Sequence, residues 1–150
     1  MNDAASLTYT THDELPPEAK IVDAGLGDAN SAAAPLHQVQ PLACLARDPA
    51  GRVIGGAIGR TWGTCCELQQ LWVETSHRRR GIGSALVRAF ERHAEARGVR
   101  TLYLETFSFQ APDLYRALGY RVRLELRGFA PGIAKFTMVR ELGGPGPEGD

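Results

Sequence analysis

The chain has 150 residues and a mass of 16.2 kDa, which is enough for one ordinary domain with a hydrophobic core but not for two. Hydrophobic residues make up 43% of the chain and charged residues 23%, a balance that excludes a disordered protein. Seventeen basic and seventeen acidic residues cancel, so a nucleic-acid-binding protein is not expected.

The N-terminus and the cysteines predict a cytoplasmic protein. The first residues have neither the basic nor the apolar region of a secretory signal, and no apolar run approaches the ~20 residues that span a bilayer. Three cysteines without C-x-x-C spacing indicate reduced, buried thiols rather than disulfides: Cys44, Cys65 and Cys66. The four histidines are scattered along the sequence, so no metal site is predicted.

The first forty residues predict a strand, a helix and an irregular segment. Residues 7–10 alternate apolar and polar side chains, as a short strand does. Pro16 and Pro17 predict the start of a helix that runs through Leu26, because proline is favoured in the first helical turn. Residues 30–41 are rich in alanine and proline without a clear period, which indicates a loop or a broken second helix.

Residues 42–73 predict three antiparallel strands. Residues 42–47 and 53–60 flank an Asp-Pro-Ala-Gly turn and form a hairpin, and residues 65–73 follow a second turn at Gly63. Strict alternation along the third strand places one set of side chains on a shared face: Glu67, Gln69, Leu71 and Val73.

A helix is predicted from Ile82, where the apolar period changes. Its apolar stripe is formed by Leu86, Val87, Phe90 and Ala94. Its solvent side is formed by Arg88, Glu91, Arg92 and Glu95. Gly98 ends the helix at the position where glycine is favoured.

The rest of the chain predicts a strand, a short helix and two more strands, over residues 99–106, 111–118, 120–126 and 134–140. The strand–helix–strand unit over residues 65–106 makes a right-handed crossover, so its two strands are expected to be parallel. The predicted fold class is therefore α/β (α+β), a mixed, mostly antiparallel sheet with helices on both faces. We expect one domain over residues 1–142 and a flexible tail over residues 143–150, which is rich in glycine and proline.

A basic, glycine-containing turn lies between the third strand and the long helix, with the sequence Arg78-Arg79-Arg80-Gly81-Ile82-Gly83. A helix start leaves about four backbone N–H groups unpaired and carries partial positive charge. Glycine lets the backbone approach an anion closely. The turn therefore predicts a pyrophosphate site, although it matches neither the Walker pattern nor the complete dinucleotide fingerprint.

This turn resembles the signature of the GNAT superfamily of acetyl-CoA-dependent N-acetyltransferases, Gln/Arg-x-x-Gly-x-Gly/Ala. The segment 111–120 is similar to the family's Ala-x-x-Leu-Tyr…Gly-Phe/Tyr element, and the Thr-Phe-Ser-Phe-Gln-Ala-Pro run before it is typical of one bacterial subgroup. The resemblance covers residues 42–142. It implies a GNAT-like sheet with a V-shaped splay, acetyl-CoA as cosubstrate, and no metal.

The resemblance also implies where the cofactor binds. Main-chain amides hold the pyrophosphate of coenzyme A, in the run Arg79, Arg80, Gly81, Ile82, Gly83 and Ser84. Trp72 and Val73 offer backbone groups to the pantetheine arm, and a nearby N–H polarises the acetyl carbonyl. The side chains of Arg78, Arg79 and Arg80 add ionic contacts to phosphate. Ser108 stands where many members have a cofactor-positioning asparagine.

Two catalytic residues follow from the resemblance. Tyr115 occupies the family's tyrosine position beside the thioester sulfur and is the candidate general acid, with packing against the cofactor as the alternative. Glu67 falls where one branch of the family has its catalytic glutamate and is the candidate base, with a salt-bridged structural residue as the alternative. Glu105 and His77 are weaker candidates.

The resemblance implies an N-acetyltransferase that moves an acetyl group to a primary amine by direct transfer in a ternary complex. We expect a small-molecule acceptor, which the acidic first forty residues would attract, and no acyl-cysteine. A protein or peptide acceptor and a non-catalytic acyl-CoA-binding sensor are the alternatives. The sequence leaves homodimerisation open.

Overall fold

The computed structural model describes residues 6–143, which divide into two compact units at the boundary between His37 and Gln38. Within these residues no helix is long and apolar enough to cross a bilayer. Of the predicted tail, only Gly143 is described, and the single domain over residues 1–142 stays a prediction.

The first unit contains one helix, α1 (Ala19–Ala33), which confirms the predicted helix and extends it by two turns. The predicted strand over residues 7–10 is wrong, because these residues have no strand partner within the described chain and lie exposed. A strand needs a partner for its backbone N–H and C=O groups, and a sequence pattern alone does not supply one. Residues 30–41 divide into the end of α1, a short 3₁₀ turn and the start of the next strand.

The second unit is built on a six-stranded sheet in the order β1-β2-β3-β4-β6-β5. The strands are β1 (Gln40–Arg47), β2 (Val53–Trp62), β3 (Cys65–Val73), β4 (Thr101–Phe107), β5 (Arg121–Arg127) and β6 (Ala134–Glu141). Among the described strands, β3 and β4 alone pair in parallel, and the other neighbours pair antiparallel. The predicted mixed, mostly antiparallel sheet is confirmed.

Two helices pack against this sheet, α2 (Ile82–Ala96) and α3 (Pro112–Ala117). The predicted apolar stripe of α2 is fully buried in the core, and Arg88 Nη1 donates to the Leu118 carbonyl at 3.4 Å, which ties α2 to the end of α3. Each large apolar side chain buried in this way contributes about 1.5–3 kcal/mol. Cys66 is buried as expected, whereas Cys44 and Cys65 are half-buried.

One residue predicted to face solvent on α2 is buried instead. Glu91 is 4% exposed, and its carboxylate accepts hydrogen bonds from Arg140 Nη1 at 2.6 Å and from the Tyr120 hydroxyl at 2.9 Å. A buried carboxylate is tolerated when it is paired and hydrogen-bonded in this way. Burial, and next the Glu91 charge, raise the pKa of Tyr120. Both partners are distant in sequence, so the helical period could not reveal them.

The parallel strands pair over only part of their length. Pairing runs from Cys65 beside Thr101 to Leu68 beside Leu104, and it ends there. Beyond this point β3 continues along β2 while β4 continues along β6, so the sheet opens into a wedge. The V-shaped splay is confirmed.

A β-bulge in β3 overturns the predicted alternation of its side chains. Leu68 pairs with Gly59 and Gln70 pairs with Ile58, which leaves Gln69 as the extra residue. An extra residue reverses the inward and outward faces beyond it. Leu71 and Val73 therefore pack against the same core as Leu68, not on the face of Glu67.

Candidate active site

A cleft of about 590 Å³ lies between the end of β3, the following turn, the start of α2 and the start of α3. It brings together eight of the sequence-predicted cofactor residues: Trp72, Val73, Arg78, Arg79, Gly81, Ile82, Gly83 and Ser84. Arg80 and Ser108 do not line it. We refer to it below as the large cleft.

The turn that borders the large cleft presents unpaired backbone donors. Gly81 caps α2 in the left-handed conformation (φ +78°), and no side chain bonds to the helix start. Within residues 6–143, none of the four N–H groups from Gly81 to Ser84 donates a hydrogen bond. Arg79 is also left-handed (φ +65°), which is costly for a side-chain-bearing residue. Such a run of N–H groups forms a concave anion site.

The arginines of the turn have different surroundings. Arg78 Nε donates to the Val73 carbonyl at 2.9 Å, which fixes the turn to the end of β3. Arg79 lines the large cleft, and Arg80 is exposed outside it. No acidic residue lies in the first turn of α2, so positive charge prevails around the unpaired donors.

A second cavity, of about 240 Å³, occupies the gap between the splayed strands, and we call it the wedge cavity. It adjoins the large cleft, since Leu71, Gln110 and Ala111 line both. The Gln110 side-chain oxygen accepts from the Phe107 N–H at 2.7 Å, which fixes this shared wall. The remaining lining residues are Leu68, Gln69, Gln70, Glu105, Thr106 and Tyr115.

Tyr115 reaches the wedge cavity from α3. Its side chain is 7% exposed and packs edge-on against Tyr120, with ring centroids 5.8 Å apart. Its hydroxyl has no hydrogen-bond partner within residues 6–143. Burial raises the pKa of Tyr115 to about 12, so the phenol keeps its proton at neutral pH.

Glu67 lies beside the site rather than in it. Its carboxylate forms an ion pair with Arg60 (Nε–Oε1 3.1 Å), and it lines neither the large cleft nor the wedge cavity. Tyr103 stands next to it in the parallel register. Burial, and next the Glu67 charge, raise the pKa of the Tyr103 phenol.

Ser108 joins β4 to β6. Its N–H donates to the Ala134 carbonyl at 2.7 Å, and its Oγ accepts from the Ala134 N–H at 3.0 Å. His77, by contrast, lines the large cleft, with Nδ1 3.8 Å from Glu74 Oε2 and 3.1 Å from Ser76 Oγ.

Comparison with a known family decides the class. A model of the Acetyltransferase (GNAT) family matches residues 9–120. The chain belongs to the GNAT acetyltransferase family. It is therefore an acyltransferase, and acetyl-CoA is the cosubstrate that the family uses.

Three relatives illustrate the similarity of this GNAT protein to known acetyltransferases. The chain is 35% identical over 112 residues to blasticidin-S acetyltransferase from Streptomyces morookaense, covering 72% of this chain and 82% of the relative. An acetyltransferase from Bacillus cereus ATCC 14579 has a TM-score of 0.76 at 23% identity, covering 89% of this chain and 98% of that one. Nourseothricin acetyltransferase has a TM-score of 0.60 at 22% identity, covering 68% and 65%. The two solved structures show the fold.

Several cavity residues were not assigned from the sequence. They are Leu71, Phe109, Gln110, Ala111 and Leu114 in the large cleft, with Leu68, Gln69, Gln70 and Thr106 in the wedge cavity. Four of the nine lie within the Thr-Phe-Ser-Phe-Gln-Ala-Pro run. The run leads from the end of β4, one of the two strands that separate, into α3, which carries Tyr115. That position is the signal that could have identified them.

The residues present fit coenzyme A. Unpaired N–H groups and arginines suit the pyrophosphate, and the passage from the large cleft to the wedge cavity suits a long arm that ends in a thioester. Within residues 6–143 no three His, Cys, Asp or Glu side chains are arranged to hold a metal ion.

Proposed function

We propose that this GNAT acetyltransferase transfers the acetyl group of acetyl-CoA to a primary amine of a small molecule, by direct attack in a ternary complex. The supporting observation is the row of unpaired N–H groups from Gly81 to Ser84, beside a cleft that leads into the gap between β3 and β4.

The cofactor residues divide by the part of coenzyme A that they bind. The backbone from Arg79 to Ser84 holds the pyrophosphate, and the side chains of Arg78, Arg79 and Arg80 supply charge around it. Trp72 and Val73 border the pantetheine arm. Ser108 lines neither cavity, so its proposed contribution to cofactor binding is indirect: its Oγ accepts a hydrogen bond from the Ala134 N–H and ties the end of β4 to the start of β6.

The acetyl group lies in the wedge cavity. The neutral acceptor nitrogen bonds to the acetyl carbon, and the carbonyl oxygen becomes an oxyanion that a backbone N–H near Val73 stabilises. The carbon–sulfur bond then breaks, and the nitrogen, positively charged after bonding, loses its extra proton through water, which restores the proton that Tyr115 gives to the sulfur. Tyr115 lines this cavity with its proton in place, so it donates that proton, or a hydrogen bond, to the departing sulfur.

The acceptor must lose a proton before it attacks, because an alkyl amine has a pKa of about 10.4. Glu67 is the proposed base. Its carboxylate lies outside the wedge cavity, so it takes the proton through a bridging water rather than by direct contact.

The similarity to blasticidin-S acetyltransferase supports a small-molecule acceptor, since that relative is named for acetylating blasticidin-S. We also assign the chain to the bacterial subgroup with the Thr-Phe-x-Phe-Gln-Ala-Pro segment. In this chain Gln110 and Ala111 of the segment line both cavities.

Acetyl-CoA titration by calorimetry, followed by thiol release with a panel of amines, tests this proposal. The panel contains blasticidin-S, polyamines, aminoglycosides, amino acids and peptide amines. Turnover of a small molecule is the expected result. Turnover of peptides alone would indicate a protein acetyltransferase, binding without turnover would indicate a sensor, and absence of acetyl-CoA binding would overturn the proposal.

A further inference from the structure

The wedge cavity contains a charged side chain that the mechanism above does not use. Among the described residues that line this cavity, Glu105 alone carries a charge. It is on β4, one residue beyond the last parallel pair at Leu104, and half of its side chain is exposed. A carboxylate at the mouth of the cavity suits an incoming cation.

Lys135 already places a primary ammonium group on this carboxylate. Its Nζ lies 3.2 Å from Glu105 Oε1, and the pair is part-exposed. Lys135 Nζ also lies 5.7 Å from the centre of the Phe107 ring, which holds the side chain over β4. Thr137 Oγ1 lies 3.5 Å from the other carboxylate oxygen.

We propose that Glu105 is the subsite for the ammonium group of the acceptor, and that Lys135 occupies this subsite as an internal competitor until the acceptor displaces it. The inference rests on the proposed function. A lysine side chain ends in a primary alkyl ammonium, the same group that the acceptor presents, so the Glu105–Lys135 contact shows the geometry in which such a group binds.

The surroundings of Glu105 differ from those of Glu67, a carboxylate on the same face of the sheet. Glu67 is paired with Arg60, whose guanidinium offers several donors in a rigid fork and is a closely held partner. Lys135 contacts Glu105 through one ammonium group at the end of a flexible side chain. A second ammonium group can therefore replace it with little loss of free energy. One N–H of the bound amine can stay on Glu105 while its lone pair faces the thioester.

Two isosteric variants test the inference in the full chain, with steady-state kinetics on an amine that the wild type acetylates. Glu105→Gln removes the charge and is expected to raise the acceptor KM about tenfold with little change in kcat, because a charge-assisted contact is lost. Lys135→Met keeps the stem on Phe107 and removes the competitor, so the acceptor KM is expected to fall roughly threefold.

The double variant provides the decisive control. If Lys135 acts only through Glu105, Lys135→Met has no effect on the acceptor KM when Glu105 is already Gln. Glu95→Gln, which removes an exposed carboxylate near the C-terminal end of α2 that lines neither cavity, should leave the acceptor KM unchanged. The acetyl-CoA Kd should be the same in all variants, because neither residue lines the large cleft.

An unchanged acceptor KM in either single variant, with acetyl-CoA binding and turnover intact, overturns this inference and leaves the proposed function standing. Failure of the wild type to acetylate any amine overturns the proposed function, and the inference with it. Thermal unfolding of each variant checks that the fold is intact, as expected for substitutions of part-exposed side chains.

Discussion

Leu68 lies beside Leu104 in the last parallel pair between β3 and β4, and the two strands separate immediately after it. The bulge at Gln69 follows at once on one strand, and Glu105 follows on the other. The wedge cavity therefore begins where backbone pairing ends. Tyr115 from α3 and Glu105 from β4 meet at this cavity because the sheet provides no hydrogen-bonded neighbour there.

Gly83→Ala is expected to weaken acetyl-CoA binding about tenfold without loss of stability. An added Cβ would lie 3.6 Å from Leu114 and 4.0 Å from Val73, so the fold accommodates it, but it would stand where the pyrophosphate approaches the backbone. Calorimetric titration gives the Kd, and thermal unfolding checks that the fold is unharmed.

Gly25→Ala is the matched control for this substitution. Gly25 is also helical and has open space around its missing Cβ. It should leave the acetyl-CoA Kd unchanged. Equal affinities for wild type and Gly83→Ala would show that the cofactor does not approach this turn.

Tyr115→Phe is expected to lower kcat about tenfold to a hundredfold while sparing acetyl-CoA affinity. The phenylalanine keeps the edge contact with Tyr120, and only the proton donor is lost. Because burial raises the pKa of Tyr115 to about 12, the wild-type rate should show no decline from its ionisation below about pH 11. Parallel loss of rate and cofactor affinity would instead indicate that the hydroxyl supports packing.

The helices and strands of the second unit could be predicted from the sequence, because local patterns specify them. The stripe at Leu86, Val87 and Phe90 has a helical period, and glycines mark the turn before it. The bulge at Gln69 could not be predicted, because the sequence of β3 alternates without a break. The extra residue is evident only from the pairing of β3 with β2. Partners distant in sequence likewise bury Glu91.

The candidate site was predictable to a similar extent. The run from Arg78 to Ser84, with the exception of Arg80, lines the large cleft, as a glycine turn before a helix implies. Side chains that depend on pairing between strands were not predictable: the Arg60 partner of Glu67 and the Lys135 partner of Glu105 are set by register, which the sequence does not display.

Glu67→Gln is expected to lower kcat most at low pH and to change the acidic limb of the pH–rate profile. Without the base, turnover depends on the fraction of acceptor that is already neutral, and this fraction grows as pH rises. Measurement of kcat from about pH 6 to about pH 9, below the alkyl amine pKa of about 10.4, checks this.

Arg60→Met is the matched variant for Glu67. It breaks the same ion pair but keeps the carboxylate. If Glu67 is the base, this variant retains the acidic limb. If the ion pair is structural, both variants should lose similar stability and neither should alter the pH profile.

Replacement of all three cysteines is expected to leave turnover largely intact, since direct transfer forms no acyl-cysteine. Cys66 is 1% exposed and burial raises its pKa to about 12, so it does not supply a thiolate at neutral pH. Mass spectrometry of the wild type with acetyl-CoA should detect no acylated cysteine. Total loss of turnover in a variant that remains folded would refute direct transfer.

Gly59→Ala is expected to destabilise the fold by about 3 kcal/mol or more. An added Cβ would lie 1.9 Å from the Glu67 carbonyl oxygen and 2.8 Å from Phe90 Cζ, so the β2–β3 pair beside the bulge must move apart. Gly56→Ala, on the same strand, meets the flexible end of Leu45 at 3.0 Å and should cost much less. Urea unfolding compares the two variants. Similar stabilities would mean that β2 and β3 can shift apart at the bulge without a large loss of stability. The wedge cavity, which begins one residue beyond Leu68, would then be adjustable as well.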